Sequence, residues 1–511
     1  MPAVDPGLSS VASVVAVLLV TTATVAVGAF GLRLSRNTSD FYVAGRAVSP
    51  GWNASAISGE YLSAASFLGV AGLVLTAGTD MLWFPVGYTA GYLVLLVLVA
   101  APLRRSGAYT LPDFAEARLE SPQVRTAATV LVVAVGWLYL LPQLQGAGLA
   151  LRTVTGAPRW VGSVVVAVVV LLNVVAGGMR SITFVQAFQY WLKLTAIALP
   201  LFFVLLVWHG DGSPSPADVG GPWVDPLSGA GGREHPLYST YSIVLALFFG
   251  TMGLPHVLVR FYTNPDGRGA RRTTLTVIAL LGAFYLFPPV YGALGRIYAP
   301  DLLASGRADT VVLVLPSRLV PGLGGQLLSA LTTAGAFAAF LSTSSGLAMS
   351  IAGVLHQDLR RRRTGAARTD SLRGFRSATA VTVAVPLLLS LTGGSLSLAD
   401  TVGLAFAVAA STFCPLLVLG IWWRRLSRTG ALTGLAVGGA SASAAVLTTM
   451  SGLAGDGWAG TLLAQPAAWT VPLAFAVMVV VSLATPESVP PNVSRTMVRL
   501  HTPEDVAVDR D

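Results

Sequence analysis

The sequence predicts an all-α integral membrane protein, and three observations carry that prediction. Of 511 residues, 54% are hydrophobic and 11% charged, with mean hydropathy +0.71, too little polar surface to clothe a water-soluble domain. Apolar runs of about 20 residues, each long enough to cross about 30 Å of hydrocarbon as a helix, recur from end to end. The basic residues between those runs fall on alternate sides. One orientation puts 25 arginines inside, among them Arg104, Arg105, Arg360 to Arg363 and Arg424, and leaves Arg152, Arg159, Arg233, Arg296, Arg307 and Arg318 outside. That split sets the N-terminus outside and the C-terminus in the cytoplasm of a multi-pass cell-membrane protein. It also accounts for the net charge of +9 without a nucleic-acid partner, the run 360–363 serving as a topology anchor.

The elements follow in order. The run 9–32 comes after MPAVDPGLSS, which has no Lys or Arg, so it reads as a retained span rather than a signal peptide. A cytoplasmic loop, 33–51, leads to a span at 52–75 whose stretch SGEYLSAASFLGVAG (58–72) is small, hydroxylated and carries a carboxylate, Glu60. Two readings fit such a helix: close packing through small residues, or a break whose freed carbonyls line a wet cavity and hold a small cation. Spans at 81–101, 127–149, 160–177 and 184–208 follow, and the last carries Lys193, the sole lysine, about 13 Å into the helix at 1.5 Å per residue. An ammonium at that depth faces a cavity, pairs with a carboxylate such as Glu60, or snorkels to the inner surface. The loop 209–238 is polar and rich in Gly, Pro and Ser. In the span 239–259, FFGTMGLPHVLVR (248–260) is interrupted by Gly250, Gly253 and Pro255. Spans at 274–298, 326–355, 377–393, 398–423, 430–451 and 467–484 bring the number to about thirteen, and a cytoplasmic tail, 485–511, ends the chain. No loop has room for a soluble fold, so residues 1–511 form a single membrane domain. Two broken helices five spans apart, starting from opposite sides, predict a 5+5 inverted-repeat core with its site near the midplane: 52–208 is the first repeat, 239–423 the second, and 430–484 two extra helices.

Four stretches, DFYVAGR (40–46), GGMRSITFVQAFQ (177–189), AAFLSTSS (338–345) and HQDL (356–359), together resemble the signature segments of sodium:solute symporters. Three more, EYLSAASFLG (60–69), GLPHVLVRFYTNPD (253–266) and FVQ (184–186), look like the acetate permease branch of that family, which carries short-chain monocarboxylates. The resemblance implies the leucine-transporter fold and secondary active symport, in which inward Na⁺ movement drives uptake of a monocarboxylate such as acetate. The alternatives are a proton-coupled carrier, or a Na⁺ symporter for another small organic solute such as an amino acid or a vitamin acid.

The same resemblance implies a cation site made by the backbone of Gly59 and Leu62 on one side and by Ala339, Ser342 and Thr343 on the other. Carbonyl and hydroxyl oxygens without formal charge suit repeated binding and release of a hard monovalent cation. Gln186 stands where the family frequently has an aspartate, and some proton-coupled relatives of the fold put a lysine of this helix where sodium would sit. Glu60, Lys193 and Gln186 are therefore the candidates for coupling or gating. Candidate substrate neighbours are Tyr61, Ser66, Trp137, Gln145, Thr251 and Met252, near half-helix ends whose free amides suit a carboxylate.

Enzymatic chemistry is not expected. His209, His235, His256, His356 and His501 are scattered, without a HExxH pair or a nucleophile elbow, and the single cysteine, Cys414, excludes an internal disulfide. Na⁺ as coupling ion, with H⁺ as the alternative, is the only cofactor-like species expected. The bilayer and a small monocarboxylate are the partners, with no obligatory protein partner.

Overall fold

The computed structural model describes residues 6–32, 48–229, 232, 234–362, 371–391 and 396–506. The DFYVAGR stretch, most of the 33–51 loop, Arg233, Arg363 and the last five residues lie outside the described residues. Among those described, every regular element is helical: α1 (Pro6–Leu32), α2 (Pro50–Tyr61), α3 (Val70–Ala77), α4 (Trp83–Val94), α5 (Pro122–Thr155), α6 (Arg159–Gly210), α7 (Pro236–Thr251), α8 (Pro255–Phe261), α9 (Gly267–Tyr285), α10 (Phe287–Tyr298), α11 (Gly322–Arg362), α12 (Ser371–Leu391), α13 (Leu398–Trp422), α14 (Arg428–Met450) and α15 (Ala467–Ala484), with short helical turns between them.

Sequence chemistry sets the ends. Ser121, Asp266, Ser397 and Ser427 each accept a backbone N–H of the following first turn, and Gly156 closes α5 at φ 75°. Eleven described helices are long and apolar enough to cross a membrane, two fewer than the thirteen expected, and each difference has a local cause. The apolar run 65–105 counts once, although Asn53, before it, and Arg104, at its end, bond to the backbone of Arg260 and Asn264 at one end of the molecule. The chain therefore reverses within it, at Gly78 (φ 72°), where a five-residue 3₁₀ turn begins. The apolar helix Arg159–Val175 falls short of the length needed, and Gly178 (φ 61°, ψ −175°) separates it from the longer second half of α6.

Both interruptions expected from Gly and Pro are present. The first lies between α2 and a π-helical turn, Ala65–Gly69, that leads into α3; the second lies between α7 and α8. Close packing through small residues holds as well. A side chain at Gly59 would collide with the backbone of Gln186 on α6, and one at Gly346 on α11 with the Glu60 carboxylate, so the broken helix is pressed between α6 and α11.

At the opposite end from Arg104, a short turn at Ala308–Thr310 reaches back to the bundle. Asp309 Oδ2 accepts the Leu398 N–H at the start of α13 (3.1 Å), and burial pushes its carboxyl up to about 6, with Asp400 acting in the same direction. The folded protein thus holds this proton more tightly than the unfolded chain does, so stability falls as pH rises from about 4 through about 6. The upper bound is about 3 kcal/mol for a two-unit shift, lowered by screening because Asp309 is only half-buried. Asp309→Asn keeps an acceptor for Leu398. It is expected to unfold at higher temperature than the unaltered protein at pH 7.5, with the gap closing near pH 5. An unchanged pH slope of Tm would remove Asp309 from this role.

Candidate functional site

The first break is built by four elements. With α2 ended at Tyr61, the Ala64 N–H that would bond the Glu60 carbonyl in an unbroken helix is taken by Gln143 Oε1 of α5 (2.9 Å). The Glu60 carbonyl instead accepts Thr343 Oγ1 of α11 (2.6 Å). Lys193 of α6, fully buried, points its ammonium into the gap. Nζ donates to the Gly59 carbonyl, to the Leu62 carbonyl (2.8 Å) and to Ser342 Oγ (2.7 Å), so its three protons have three acceptors. Ser342 Oγ in turn donates to the Ala339 carbonyl (3.1 Å). Gly59, Leu62, Ala339, Ser342 and Thr343 are therefore together, and three of them, Gly59, Leu62 and Ser342, hold the Lys193 ammonium.

Glu60 does not pair with Lys193. Its Oε2 accepts Arg260 Nε (2.7 Å), with both side chains almost wholly buried. The same guanidinium donates to Thr183 Oγ1 (2.7 Å) and to Gln186 Oε1, and Gln186 Nε2 donates to the Ser342 carbonyl (2.8 Å). An amide at position 186 thus accepts on one side and donates on the other, which an aspartate, an acceptor only, does not do. Arg260, read from the sequence as one of the inner topology charges, is instead a buried partner seated just past the second break. The Gly253-Leu254-Pro255 interruption five residues earlier is the signal that could have singled it out.

The second break faces the first through Tyr61, whose Oη meets Thr251 Oγ1 at 2.9 Å. Ser66 Oγ bonds Tyr285 Oη (2.7 Å), the Tyr285 and Tyr88 rings stack at 5.7 Å, and Phe406 lies against Tyr61, Tyr88 and Tyr139. Met252 is buried at the break itself. Tyr61, Ser66, Thr251 and Met252 thus share one aromatic chamber, while Trp137 and Gln145 do not join it. Tyr139 and Gln143, which face inward from α5, each sit two residues from one of that pair, which puts Trp137 and Gln145 on the far face of the helix. Those two line a side groove of about 490 Å³ against α14. Sequence reading missed Tyr88, Tyr92, Tyr139, Gln143, His256 and Tyr285. The chamber also holds polar atoms with no partner among the described residues, Tyr88 Oη, Tyr92 Oη and both ring nitrogens of His256, each fully buried. A buried polar group left unpaired costs about 1–3 kcal/mol, so each of these atoms calls for a partner or a reason to lack one.

Known proteins share the fold. The fold matches a Na⁺-coupled sialic acid symporter solved in a substrate-bound outward-open state, with TM-score 0.68 over 93% of this chain and 98% of that one at 14% identity. It also matches a nucleobase-cation-symport-1 family transporter in a closed conformation, with TM-score 0.54 over 91% and 99% at 16% identity. In sequence, a monocarboxylic acid transporter of Corynebacterium glutamicum is 33% identical over 500 residues, 91% of this chain and 89% of that protein. An uncharacterized symporter of Bacillus subtilis, YwcA, is 32% identical over 465 residues, 87% and 89% of the two chains. The profile of the sodium:solute symporter family matches residues 41–438, which hold both breaks, Lys193 and Ser342, and the chain is therefore a multi-pass membrane protein of the sodium:solute symporter family.

Proposed function

We propose that this protein is a secondary active carrier that takes up a short-chain monocarboxylate such as acetate, propionate or pyruvate across the cell membrane. Its coupling ion is H⁺, carried on Lys193, in the place where Na⁺ was the first expectation. The N-terminus lies outside and the C-terminus in the cytoplasm, as the arginine distribution requires. The observation that carries the coupling reading is the position of Lys193 Nζ on Gly59, Leu62 and Ser342. Protonated, the ammonium ties α6, α11 and the break of α2 into one unit. Losing its proton removes the charge and one donor, and with them the force that holds those three elements together, so protonation outside and release inside would alternate the packing. Two corresponding broken helices on either side of such a site agree with an inverted-repeat mechanism.

Charge balance extends the reading to the substrate. Glu60 and Arg260 cancel, which leaves Lys193 as an uncompensated buried cation. A carboxylate in the chamber, bonded by hydroxyls such as Tyr88 and Tyr92, offsets it, so the proton and the anion favour each other's binding and move together without net charge. The Corynebacterium relative's description as a monocarboxylic acid transporter supports the same substrate class.

Uptake of labelled pyruvate into proteoliposomes tests this, with protein-free vesicles measuring leak of the undissociated acid. Uptake is expected to follow an inside-alkaline pH gradient, to ignore a Na⁺ gradient at equal pH, and to be little changed by a potassium–valinomycin potential. Acetate and propionate are expected to compete; glucose, galactose and proline are not. A Na⁺ gradient that drives uptake alone would return the coupling to sodium, and transport of proline with pyruvate left outside would overturn the substrate class.

A further inference from the structure

At the end of the bundle away from Arg104 and Arg105, a cavity of about 630 Å³ opens between the end of α5, the start of α6, the turn before α11 and the start of α13. Three arginines line it: Arg152, Arg159 and Arg307. They are half of the six that the sequence places outside, on a surface otherwise nearly free of basic residues. All three are exposed, and Arg152 and Arg159 have no side-chain partner among the described residues; Arg307 Nε donates to Ser305 Oγ (3.1 Å), and its charge also acts on Asp301. The cavity also holds two carboxylates, both turned to structural bonds. Asp309 accepts the Leu398 N–H (3.1 Å), Asp400 accepts Ser397 Oγ (2.7 Å), and each is half-buried where the arginines stand in water. The charge a solute meets first is therefore positive. Thirteen residues along α5, about 20 Å at 1.5 Å per residue, separate Arg152 from Tyr139 of the aromatic chamber, and the cavity reaches inward as far as Gln145, six residues from Tyr139.

We propose that Arg152, Arg159 and Arg307 form an outer anion-capture site, a vestibule that concentrates carboxylate solutes ahead of the chamber. This rests on the substrate reading above. A walled cleft of one sign raises the local concentration of counter-charged solute and the rate of encounter, and the effect fades as salt shortens the Debye length to about 10 Å at 0.1 M and below that at higher salt. Capture acts on arrival and not on the conformational cycle, so it belongs to KM and leaves the maximal rate alone. Exposed, unpaired arginines also contribute little to stability, and their replacement leaves the fold intact.

The test has two arms. In the first, the initial rate of pyruvate uptake is measured at low and high ionic strength for the protein and for the triple variant Arg152→Gln, Arg159→Gln, Arg307→Gln. The KM of the protein is expected to rise with salt. That of the variant is expected to be about threefold or more higher at low salt, nearly independent of salt, and accompanied by an unchanged maximal rate. Equal KM values with equal salt dependence would overturn the capture site. The second arm needs no transport, because Trp160 lines the same cavity and is exposed. Its emission, isolated by difference from Trp160→Phe, is expected to be quenched by iodide more strongly than by neutral acrylamide, and the iodide excess is expected to fall about twofold in the triple variant. If the protein carries no monocarboxylate, the substrate reading falls and this arm still decides the vestibule: an iodide excess that the three substitutions leave intact refutes it.

Discussion

With Lys193 replaced by methionine, pyruvate uptake driven by a pH gradient is expected to fall by about a hundredfold or more, the loss that follows when the group exchanging the proton in each cycle is gone. Methionine fills similar volume on α6 but brings no donor, so the Gly59 and Leu62 carbonyls and Ser342 Oγ lose the partner that draws them together. The expected signature is loss of accumulation with protein still folded and inserted, read as unchanged elution from a sizing column. Uptake in Lys193→Met that still tracks the pH gradient would rule the lysine out as the coupling group. Lys193→Arg is expected to fail too, since a guanidinium does not give up its proton in proteins.

The second large effect is on stability. The Glu60–Arg260 pair is buried at 2.7 Å, and removing one member strands the other's charge in a low-dielectric interior, a cost of about 3–5 kcal/mol. Arg260→Gln alone, or Glu60→Gln alone, is expected to lower Tm in detergent by several degrees. The double variant Glu60→Gln, Arg260→Gln leaves two amides that can bond each other and no stranded charge, so it is expected to recover most of that loss. A double variant no more stable than the worse single one would show that shape, and not charge, governs the contact. Because Arg260 also holds Thr183 and Gln186, the comparison between the two single variants reads those bonds: Arg260→Gln is expected to be the more damaging.

The sequence disclosed the spans and the breaks because both are local properties. Hydropathy is summed over neighbours in the chain, and Gly253 and Pro255 break a helix whatever it packs against. The motif brought together Gly59, Leu62, Ala339, Ser342 and Thr343, which the structure also places side by side, and the depth of Lys193 marked it as a buried group. What the chain order hid was pairing across it. Arg260 and Glu60 are 200 residues apart, and an arginine at the end of an apolar run looks the same whether it meets water or a carboxylate. The tyrosines of the chamber come from α2, α4, α5 and α9, and no one of those helices announces a site. Tyr88 and Tyr92, one helical turn apart, offered the available hint, since two hydroxyls on one face of a span need something to bond. Trp137 and Gln145 share a span with Tyr139 and Gln143, and the helix period, counted from those two, turns them away from the chamber.

The ammonium at the first break has one property that no dissolved ion shares. It is attached to α6 by its own side chain, so its effective concentration at the Gly59 and Leu62 carbonyls is set by four methylenes and not by the medium. Dilution cannot empty such a site, and potassium or sodium outside cannot outbid it by abundance. The occupancy of this site is therefore the same in a dilute medium and in brine, and what changes it is the proton on Lys193 and not the abundance of any metal ion.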